Sequence, residues 1–240
     1  MSPEQSNERE DAELQRIRNE YQSRSRRLPP DFYVLWREEN LYIHAQIARA
    51  CVRLLRNNGL FPIANARIAD IGCGDGRWLL EFLQWGAVAN HLHGVDLLPD
   101  RIAAAQQRAG NTNLILGNAA CLPWRNHSFD LVTQFVVLSS VSDPAIRQKI
   151  AAEMMRVLRP GGHILWFDTQ RNNPWNRAIH AITQGDLQIL FPHCRIQAKR
   201  AMLVPFVARA VARRSWSLAL ALEKIPLART HLVALITPGK

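Results

Sequence analysis

ADIGCGDG, residues 69–76, lies between an apolar run at 66–71 and a helical pattern at 76–86. Glycines at this spacing let the backbone turn sharply and let a ligand lie against bare main chain. A glycine-rich turn that ends a strand and opens a helix is the first part of a βαβ unit. The segment therefore predicts parallel strands with a ligand site at their carboxyl ends.

Outward from this turn, short apolar runs alternate with helical stretches. The runs that predict strands cover 66–71, 90–96, 113–117, 129–136 and 162–168. Helical periodicity covers 76–86, 99–109 and 143–159. This alternation is typical of an α/β protein with a parallel sheet. Two more strands are predicted later in the chain, at 194–204 and 231–236.

The chain on either side of this core has other patterns. Residues 4–26 predict a charged amphipathic helix that Pro29 and Pro30 end. A second helix is predicted over 38–58, with Gly59 as its C-cap. After the core, the patterns predict a loop at 171–177, short helices at 177–190 and a basic amphipathic helix at 205–224.

The 240 residues carry a formal net charge of +10, and this charge is unevenly placed. Residues 171–240 hold eleven basic and two acidic side chains, whereas residues 1–170 hold nineteen and eighteen. A nucleic-acid-binding coat over the whole surface is therefore disfavoured. The length suits one domain.

Several signals are missing from the sequence. The four cysteines show no CxxC or Cys/His spacing, so neither a structural metal nor a disulfide framework is expected. The polar start MSPEQSNEREDAELQ has the features of neither a signal peptide nor a transit peptide. No apolar run reaches the ~18 residues of a membrane span. We therefore expect a cytoplasmic protein without a bound metal.

Two carboxylates indicate the kind of ligand. Asp70 ends the strand before the glycine turn, and Asp96 ends the next strand, where a carboxylate can bind the two hydroxyls of a ribose. A carboxylate at position 70 would repel a pyrophosphate, whereas it would attract a cationic amino group. The pair favours a nucleoside that carries an amino acid, such as S-adenosylmethionine, over a dinucleotide.

Four segments in order resemble the class I S-adenosylmethionine-dependent methyltransferases, of the kind labelled type 11, over about residues 40–168. They are DIGCGDG at 70–76, GVDLLPD at 94–100, GNAACLPW at 117–124 and RVLRPGGHILWFD at 156–168. The resemblance implies a Rossmann-like, doubly wound, mostly parallel seven-stranded sheet with helices on both faces and an antiparallel last strand. It also implies S-adenosylmethionine as cofactor and S-adenosylhomocysteine as product.

The resemblance assigns cofactor contacts to positions of this sequence. It implies that the glycine turn contacts the methionine part, that Asp96 binds the ribose, and that Asn118 lies near the adenine. Gln134 follows the fourth strand, where it either contacts the cofactor or substrate or packs within the strand. The predicted cofactor-binding residues are Asp70, Gly72, Cys73, Gly74, Gly76, Asp96, Leu97, Asn118, Ala119 and Gln134.

The sequence says less about the acceptor. No Asp/Asn-Pro-Pro-aromatic tetrad follows the fourth strand, which argues against methylation of amino groups on bases or glutamine. His180 and Asp168 are the candidate general bases. The segments before and after the core contain aromatic, Asn and Arg side chains, which suit a polar ring or a phosphorylated or carboxylated small molecule. The predicted substrate-binding residues are Tyr21, Tyr33, Trp36, Arg171 and Asn173.

The resemblance divides the chain into a helical lid at 1–37, a cofactor-binding core at 38–168, and lid helices with sheet-completing strands at 169–240. The predicted helix at 205–224 is a lid helix, a dimer face or an interfacial helix near anionic lipid. The chain is therefore expected to be a monomer or a homodimer, with possible contact to a membrane or a lipid-linked substrate.

We expect methyl transfer to a small-molecule acceptor, with oxygen favoured over nitrogen, in glycan or natural-product biosynthesis. No specific nucleic-acid partner is expected. The alternatives are a methyltransferase that acts on RNA or protein and a non-catalytic binding module.

Overall fold

A computed structural model describes residues 3–172 and 178–239 of the chain. Its strands are β1 Ile68–Ile71, β2 Leu92–Asp96, β3 Asn113–Leu116, β4 Phe129–Phe135, β5 Leu158–Thr169, β6 Cys194–Leu203 and β7 Arg229–Pro238. They form one sheet in the order β3-β2-β1-β4-β5-β7-β6. Strands β1 to β5 are parallel, whereas β7 is antiparallel to both β5 and β6. The predicted seven-stranded, doubly wound sheet with an antiparallel last strand is confirmed.

The helices lie between the strands and before the sheet. Within the described residues they are α1 Pro3–Arg27, α2 Glu38–Asn57, α3 Arg77–Gln84, α4 Pro99–Arg108, α5 Pro144–Val157, α6 Gln184–Leu190, α7 Pro205–Ala212 and α8 Trp216–Glu223. The two helices predicted before the glycine turn are confirmed, and Gly59 follows the second of them with a left-handed backbone (φ 70°).

The start of α5 shows how local sequence sets a helix boundary. The Asp143 carboxylate accepts hydrogen bonds from the main-chain N–H groups of Ala145 (2.7 Å) and Ile146 (3.4 Å). Pro144 takes the first helical position, where its missing N–H removes no hydrogen bond. Ile146 and Ile150 then lie on one face of the helix, which packs on the sheet.

The sheet is buried on both faces, as is usual for parallel strands. On β5, Ile164 and Trp166 join the apolar cluster that contains α5. Leu165 and Phe167 join the cluster that contains α2. Burial of one such large side chain stabilises the fold by about 1.5–3 kcal/mol. Because both faces are covered, the ends of the strands are where a ligand can reach the sheet.

The prediction of one helix over 205–224 is wrong. Two helices, α7 and α8, take its place, with Arg213, Arg214 and Ser215 between them. The Ser215 hydroxyl accepts a hydrogen bond from the N–H of Leu218 (3.2 Å), so this serine caps a new helix. The two arginines therefore lie in a turn and do not form a stripe along a helix.

Other boundaries differ by a few residues. β5 begins at Leu158 instead of 162, because Leu158 already pairs with Phe129 ahead of a β-bulge. Over 178–190 the structure has the single helix α6 where several were predicted. Of the predicted loop at 171–177, residues 173–177 lie outside the described residues. No helix in the described part of the chain has the length and apolar character needed to cross a bilayer.

Gly76→Ala should destabilise the fold more than Gly59→Ala. Both glycines have a left-handed backbone, with φ of 77° and 70°, so each variant is strained. At Gly76 a Cβ would also lie 3.0 Å from the Cα of Ala105 in α4, whereas nothing lies within 4 Å at Gly59. In urea denaturation we expect losses of about 2–4 kcal/mol and about 1 kcal/mol in the free energy of unfolding. Equal losses would show that α3 and α4 can move apart freely.

Candidate functional site

A cavity of about 440 Å³ lies at the carboxyl ends of β1, β2 and β4. Its size falls within the range of roughly 300–1,000 Å³ that is typical of small-molecule sites. The glycine turn forms part of its lining, and α1, α2 and α7 contribute further side chains. The strand order reverses between β1 and β4, and open α/β sheets bind their ligands at the strand ends beside such a reversal, so the cavity lies where a ligand is expected.

The glycine turn has a backbone that other residues rarely adopt. Gly72, Gly74 and Gly76 have φ values of 66°, 55° and 77°. A Cβ on Gly72 would lie 2.5 Å from Cγ2 of Val137. Gly72 and Gly74 line the cavity, whereas Gly76 packs against α4. The turn therefore forms a cradle of bare main chain that side chains would fill.

Asp96 joins this turn to the end of β2. Its carboxylate accepts hydrogen bonds from the main-chain N–H groups of Gly74 (2.8 Å) and Leu98 (3.0 Å). Burial raises the pKa of Asp96 above its usual value, although these N–H groups oppose the shift. Each oxygen of a carboxylate can accept a second hydrogen bond. Asp96 lines the cavity, so it offers two adjacent acceptors to the hydroxyls of a ribose.

Asp70 lies beneath the turn and is not among the residues that line the cavity. It is 1% exposed, and the Thr133 hydroxyl donates a hydrogen bond to its carboxylate (2.7 Å). Burial raises the pKa of Asp70 to about 7, against the effect of this hydrogen bond. Asp70 thus joins the end of β1 to β4, and an effect on a ligand amino group would act across the main chain of the turn.

Leu97, Asn118 and Ala119 line the cavity near the ends of β2 and β3. The Asn118 amide already has partners, because its Nδ2 donates to Oε1 of Glu10 (2.7 Å) and its Oδ1 accepts from the N–H of Ala120 (2.9 Å). Glu10 belongs to α1, so Asn118 also holds the N-terminal helix. Its contact with an adenine ring stays a prediction.

The helix α1 covers one side of the cavity and is held by a buried carboxylate. Glu13 accepts hydrogen bonds from Ser142 Oγ (2.8 Å) and Arg16 (2.8 Å), and Arg16 donates to the main-chain oxygen of Ser140 (2.6 Å). Although burial opposes it, the hydrogen bonds from Arg16 and Ser142 lower the pKa of Glu13 to about 2. The residues of α1 that line the cavity are Leu14, Ile17, Tyr21 and Arg24.

Stacked rings form another wall of the cavity, here called the aromatic wall (His44, Trp78 and Phe135). Trp78 of α3 lies on Phe135 at the end of β4, with ring centroids 3.9 Å apart and an interplanar angle of 9°. His44 of α2 stacks on Trp78 with centroids 5.0 Å apart. All three line the cavity, so they give it an aromatic surface against which a ring can pack.

The imidazole of this wall is paired with a carboxylate. His44 Nε2 lies 2.8 Å from Oε2 of Glu81, and the other oxygen of Glu81 accepts a hydrogen bond from Nε1 of Trp85 (3.1 Å). The hydrogen bond with His44 lowers the pKa of Glu81 although burial opposes it. A carboxylate at Nε2 keeps the imidazole proton there and leaves the lone pair on Nδ1. His44 is therefore able to accept a proton at Nδ1.

The structure places neither predicted catalytic residue in the cavity lining. Asp168 is fully buried, and its carboxylate accepts hydrogen bonds from the main-chain N–H groups of Ser139 (3.0 Å) and Thr169 (2.8 Å). Burial raises the pKa of Asp168 to about 6. His180 donates its main-chain N–H to the oxygen of Ser139 (2.8 Å). Both residues therefore hold the turn after β4, and neither faces the cavity.

Gln134 packs in the strand, the second of its two predicted alternatives. It is fully buried, donates a hydrogen bond to the main-chain oxygen of Phe167 (3.3 Å) and accepts one from the N–H of Val137 (2.8 Å). Cys73 does line the cavity, and burial raises the pKa of its thiol. Within the described residues, no group of three or more His, Cys, Asp or Glu side chains is arranged to hold a metal.

The predicted substrate-binding residues divide between the cavity and the surface. Tyr21 and Tyr33 line the cavity. Trp36 is 73% exposed and Arg171 is also exposed, and neither is among the lining residues. Asn173 lies outside the described residues. The two predicted aromatic residues between α1 and α2 thus differ in role, because Tyr33 lines the cavity and Trp36 does not.

Sequence reasoning missed several residues that line the cavity, among them His44, Trp78 and Arg209. A local signal existed for Trp78, because it stands two positions after the last glycine of the turn, at the start of α3. His44 and Arg209 had no such signal, because tertiary packing alone brings α2 and α7 to the ends of the strands.

Comparison with known proteins agrees with the fold. Residues 68–162 match the family model described as a methyltransferase domain. The demethylmenaquinone methyltransferase of Listeria welshimeri serovar 6b is 27% identical over 146 residues, which make up 58% of this chain and 58% of that protein. The match therefore spans little more than half the length of this relative.

Two solved structures show the same fold at low identity. The cyclase SpnF has a TM-score of 0.59 and 17% identity, over 80% of this chain and 82% of that chain. The 1,6-didemethyltoxoflavin-N1-methyltransferase of Burkholderia thailandensis has a TM-score of 0.56 and 20% identity, over 80% of this chain and 78% of that chain. The latter structure contains 1,6-didemethyltoxoflavin and S-adenosylhomocysteine.

Residues 68–162 are a methyltransferase domain, and the S-adenosylmethionine-dependent methyltransferases among the similar proteins support the predicted family. The cofactor of this family is S-adenosylmethionine, as predicted. The residues present fit it, because the glycine cradle exposes main chain where a Cβ at Gly72 would collide with Val137, and the half-buried carboxylate of Asp96 offers two acceptors.

Asp96→Ala should weaken the binding of S-adenosylmethionine at least about 100-fold. Two hydrogen bonds to a charged carboxylate contribute about 3 kcal/mol together, which corresponds to this factor. Isothermal titration calorimetry measures the affinity. Asp100→Ala is the matched control, because Asp100 is an exposed carboxylate at the start of α4. Unchanged affinity in Asp96→Ala would contradict the assignment of the ribose to this carboxylate.

Proposed function

We propose that this chain transfers a methyl group from S-adenosylmethionine to a small-molecule acceptor, with oxygen favoured over nitrogen. The observation that carries the proposal is that a single cavity is lined by both the glycine cradle with Asp96 and the aromatic wall with His44. When bound, the cofactor supplies an electrophilic methyl carbon on a positively charged sulfur.

Residues of the turn and of the next two strands bind and orient the donor. The main chain at Gly72 and Gly74 contacts the methionine part, Asp96 accepts hydrogen bonds from the ribose, and Leu97 and Ala119 offer apolar surface to the adenine. Methyl transfer is an in-line displacement, so holding both reactants in place supplies much of the rate enhancement.

An oxygen acceptor is favoured because a hydroxyl has to lose a proton and the cavity contains a base. Glu81 keeps the His44 proton on Nε2, so Nδ1 can take the hydroxyl proton while the oxygen attacks. The arrangement follows the logic of a carboxylate–histidine pair that activates a hydroxyl. An unprotonated amine already carries its lone pair and has no need of this base.

The volume of the cavity, about 440 Å³, supports a small acceptor. Side chains of α1, of the segment before α2 and of α7 line it beside the glycine cradle, so a small ring has room there. The names of two similar proteins give demethylmenaquinone and 1,6-didemethyltoxoflavin as the compounds they act on or bind, and neither compound is RNA or protein. A role in glycan or natural-product biosynthesis in the cytoplasm accords with such an acceptor.

His44→Gln should lower kcat about 100-fold or more, because general-base catalysis contributes about this much. The assay follows transfer of labelled methyl from S-adenosylmethionine to a panel of phenols and hydroxynaphthoates. The deficit should shrink toward high pH, where the acceptor hydroxyl ionises without help. Glu81→Gln should show a smaller deficit, because it removes only the group that holds the Nε2 proton.

The affinity for S-adenosylmethionine should stay unchanged in both variants. His91→Gln is the matched control, since His91 precedes β2 and thus lies at the amino ends of the strands. A large loss in His180→Gln with none in His44→Gln would contradict the role of His44. Cofactor binding without transfer to any acceptor of the panel would instead indicate a binding module or a non-methylating enzyme.

We further infer that the surface around α8 contacts an anionic membrane. Leu218, Ile225 and Leu227 are 53%, 48% and 70% exposed. Arg213 and Arg214 lie in the turn that precedes α8. Exposed apolar residues with neighbouring arginines are typical of segments that bind at the membrane interface. A dimer face is the alternative use of the same surface, whereas α7 already serves the cavity through Arg209.

Vesicles of phosphatidylglycerol should co-sediment the protein at low salt, and vesicles of phosphatidylcholine should not. The double variant Arg213→Gln/Arg214→Gln should bind about 30-fold more weakly, since each arginine near an anionic surface contributes about 1 kcal/mol. Leu227→Ser should also weaken binding, whereas Ile189→Ser is the matched control because Ile189 is 66% exposed on α6. Equal sedimentation with both lipids would contradict the contact, and self-association lost in Leu227→Ser would favour the dimer.

A further inference from the structure

Two guanidinium groups from distant parts of the chain meet at one ring in the cavity lining. Arg24 of α1 lies 5.3 Å from the ring centroid of Tyr33, and Arg209 of α7 lies 5.8 Å from it. Arg24 also donates a hydrogen bond to the Tyr33 hydroxyl. All three side chains line the cavity. Arg24 and Arg209 are called the arginine pair below.

Arg209 is held in place by neutral partners. Its Nη1 donates a hydrogen bond to Oδ1 of Asn40 (2.7 Å). Asn40 in turn donates to the main-chain oxygens of Phe32 (2.7 Å) and Val34 (3.0 Å). The Arg209 guanidinium also lies 4.5 Å from the centroid of the Phe32 ring. A guanidinium has five N–H donors, so these contacts fix its position and leave most of its donors available.

The arginine pair has no carboxylate partner in the part of the chain that the structure describes. The ion pairs nearby use other arginines: Arg108 pairs with Asp75, and Arg37 pairs with Asp31 (2.5 Å). Glu39 acts on Arg209 only across space. Arg209 is half-buried, and this burial lowers the pKa of its guanidinium.

Two half-buried cations side by side are unfavourable without a counter-ion. Contacts with the faces of Phe32 and Tyr33 offset part of this cost, because cations are attracted to aromatic faces. The hydrogen bonds to Asn40 and Tyr33 offset a further part without neutralising the charge. An anion bound between Arg24 and Arg209 would complete the arrangement.

We propose that the arginine pair binds an anionic oxygen group of the acceptor, a carboxylate or a phosphate, while the acceptor ring lies against the aromatic wall. Arginine binds both groups through two parallel hydrogen bonds. The inference rests on the proposed methyl transfer and adds the chemical class of the acceptor. It also accounts for the position of α7, which brings one basic side chain of the C-terminal segment to the cavity.

Binding of three ring compounds tests this inference in the presence of S-adenosylhomocysteine. 2-Naphthoate and 2-naphthyl phosphate carry the two candidate anions, and 2-naphthamide is the neutral counterpart. By calorimetry, at least one anion should bind about tenfold or more tightly than 2-naphthamide, and the tighter one identifies the group. Arg209→Gln and Arg24→Gln should each remove most of this preference while leaving the affinity for 2-naphthamide unchanged.

Arg56→Gln is the matched control, since Arg56 is an exposed arginine of α2. Arg24→Gln, on a different helix, carries the test if Arg209→Gln does not fold. The inference is overturned if neither anion binds, if the neutral compound binds equally well, or if neither substitution alters the preference. A separate titration measures the binding of S-adenosylhomocysteine alone. If S-adenosylhomocysteine does not bind, the proposed function is contradicted. If it binds but the ring compounds show no preference for an anion, only this inference is contradicted.

Discussion

The hydrogen bond from the Gly74 N–H to the Asp96 carboxylate (2.8 Å) is the contact on which the site depends. It joins the turn after β1 to the end of β2, and beside it the N–H of Cys73 donates to the main-chain oxygen of Val95 (2.9 Å). Together these bonds hold a left-handed glycine backbone open toward the cavity. The same turn brings Gly72 so close to Val137 that it also fixes the segment after β4.

The donor half of the cavity was predictable because one contiguous pattern encodes it. The glycine turn, Asp96 and the segment at 117–119 each follow a strand, and parallel strands bring their carboxyl ends to one edge. Alternation of apolar runs and helices was enough to identify those strands. The helix break at 213–215 was missed because continuous apolar periodicity hid a single capping serine.

The acceptor half was not predictable in the same way, because distant segments build it. His44 pairs with a carboxylate 37 positions away, and Arg209 bonds to an asparagine 169 positions away. Asp168 looked catalytic because it lies at the end of the fifth predicted strand. Burial and two main-chain N–H groups instead give it a structural role, and strand position alone does not distinguish the two.

This contrast also changes the meaning of the basic C-terminal segment. Eleven basic side chains fall in residues 171–240, yet within the described part of this segment Arg209 is the one that lines the cavity. Arg213 and Arg214 lie in an exposed turn, where a charge is hydrated and costs little. Arg209 is partly removed from water, so an anion bound to it would interact far more strongly. One half-buried arginine therefore tells more about the acceptor than the net charge of the whole segment does.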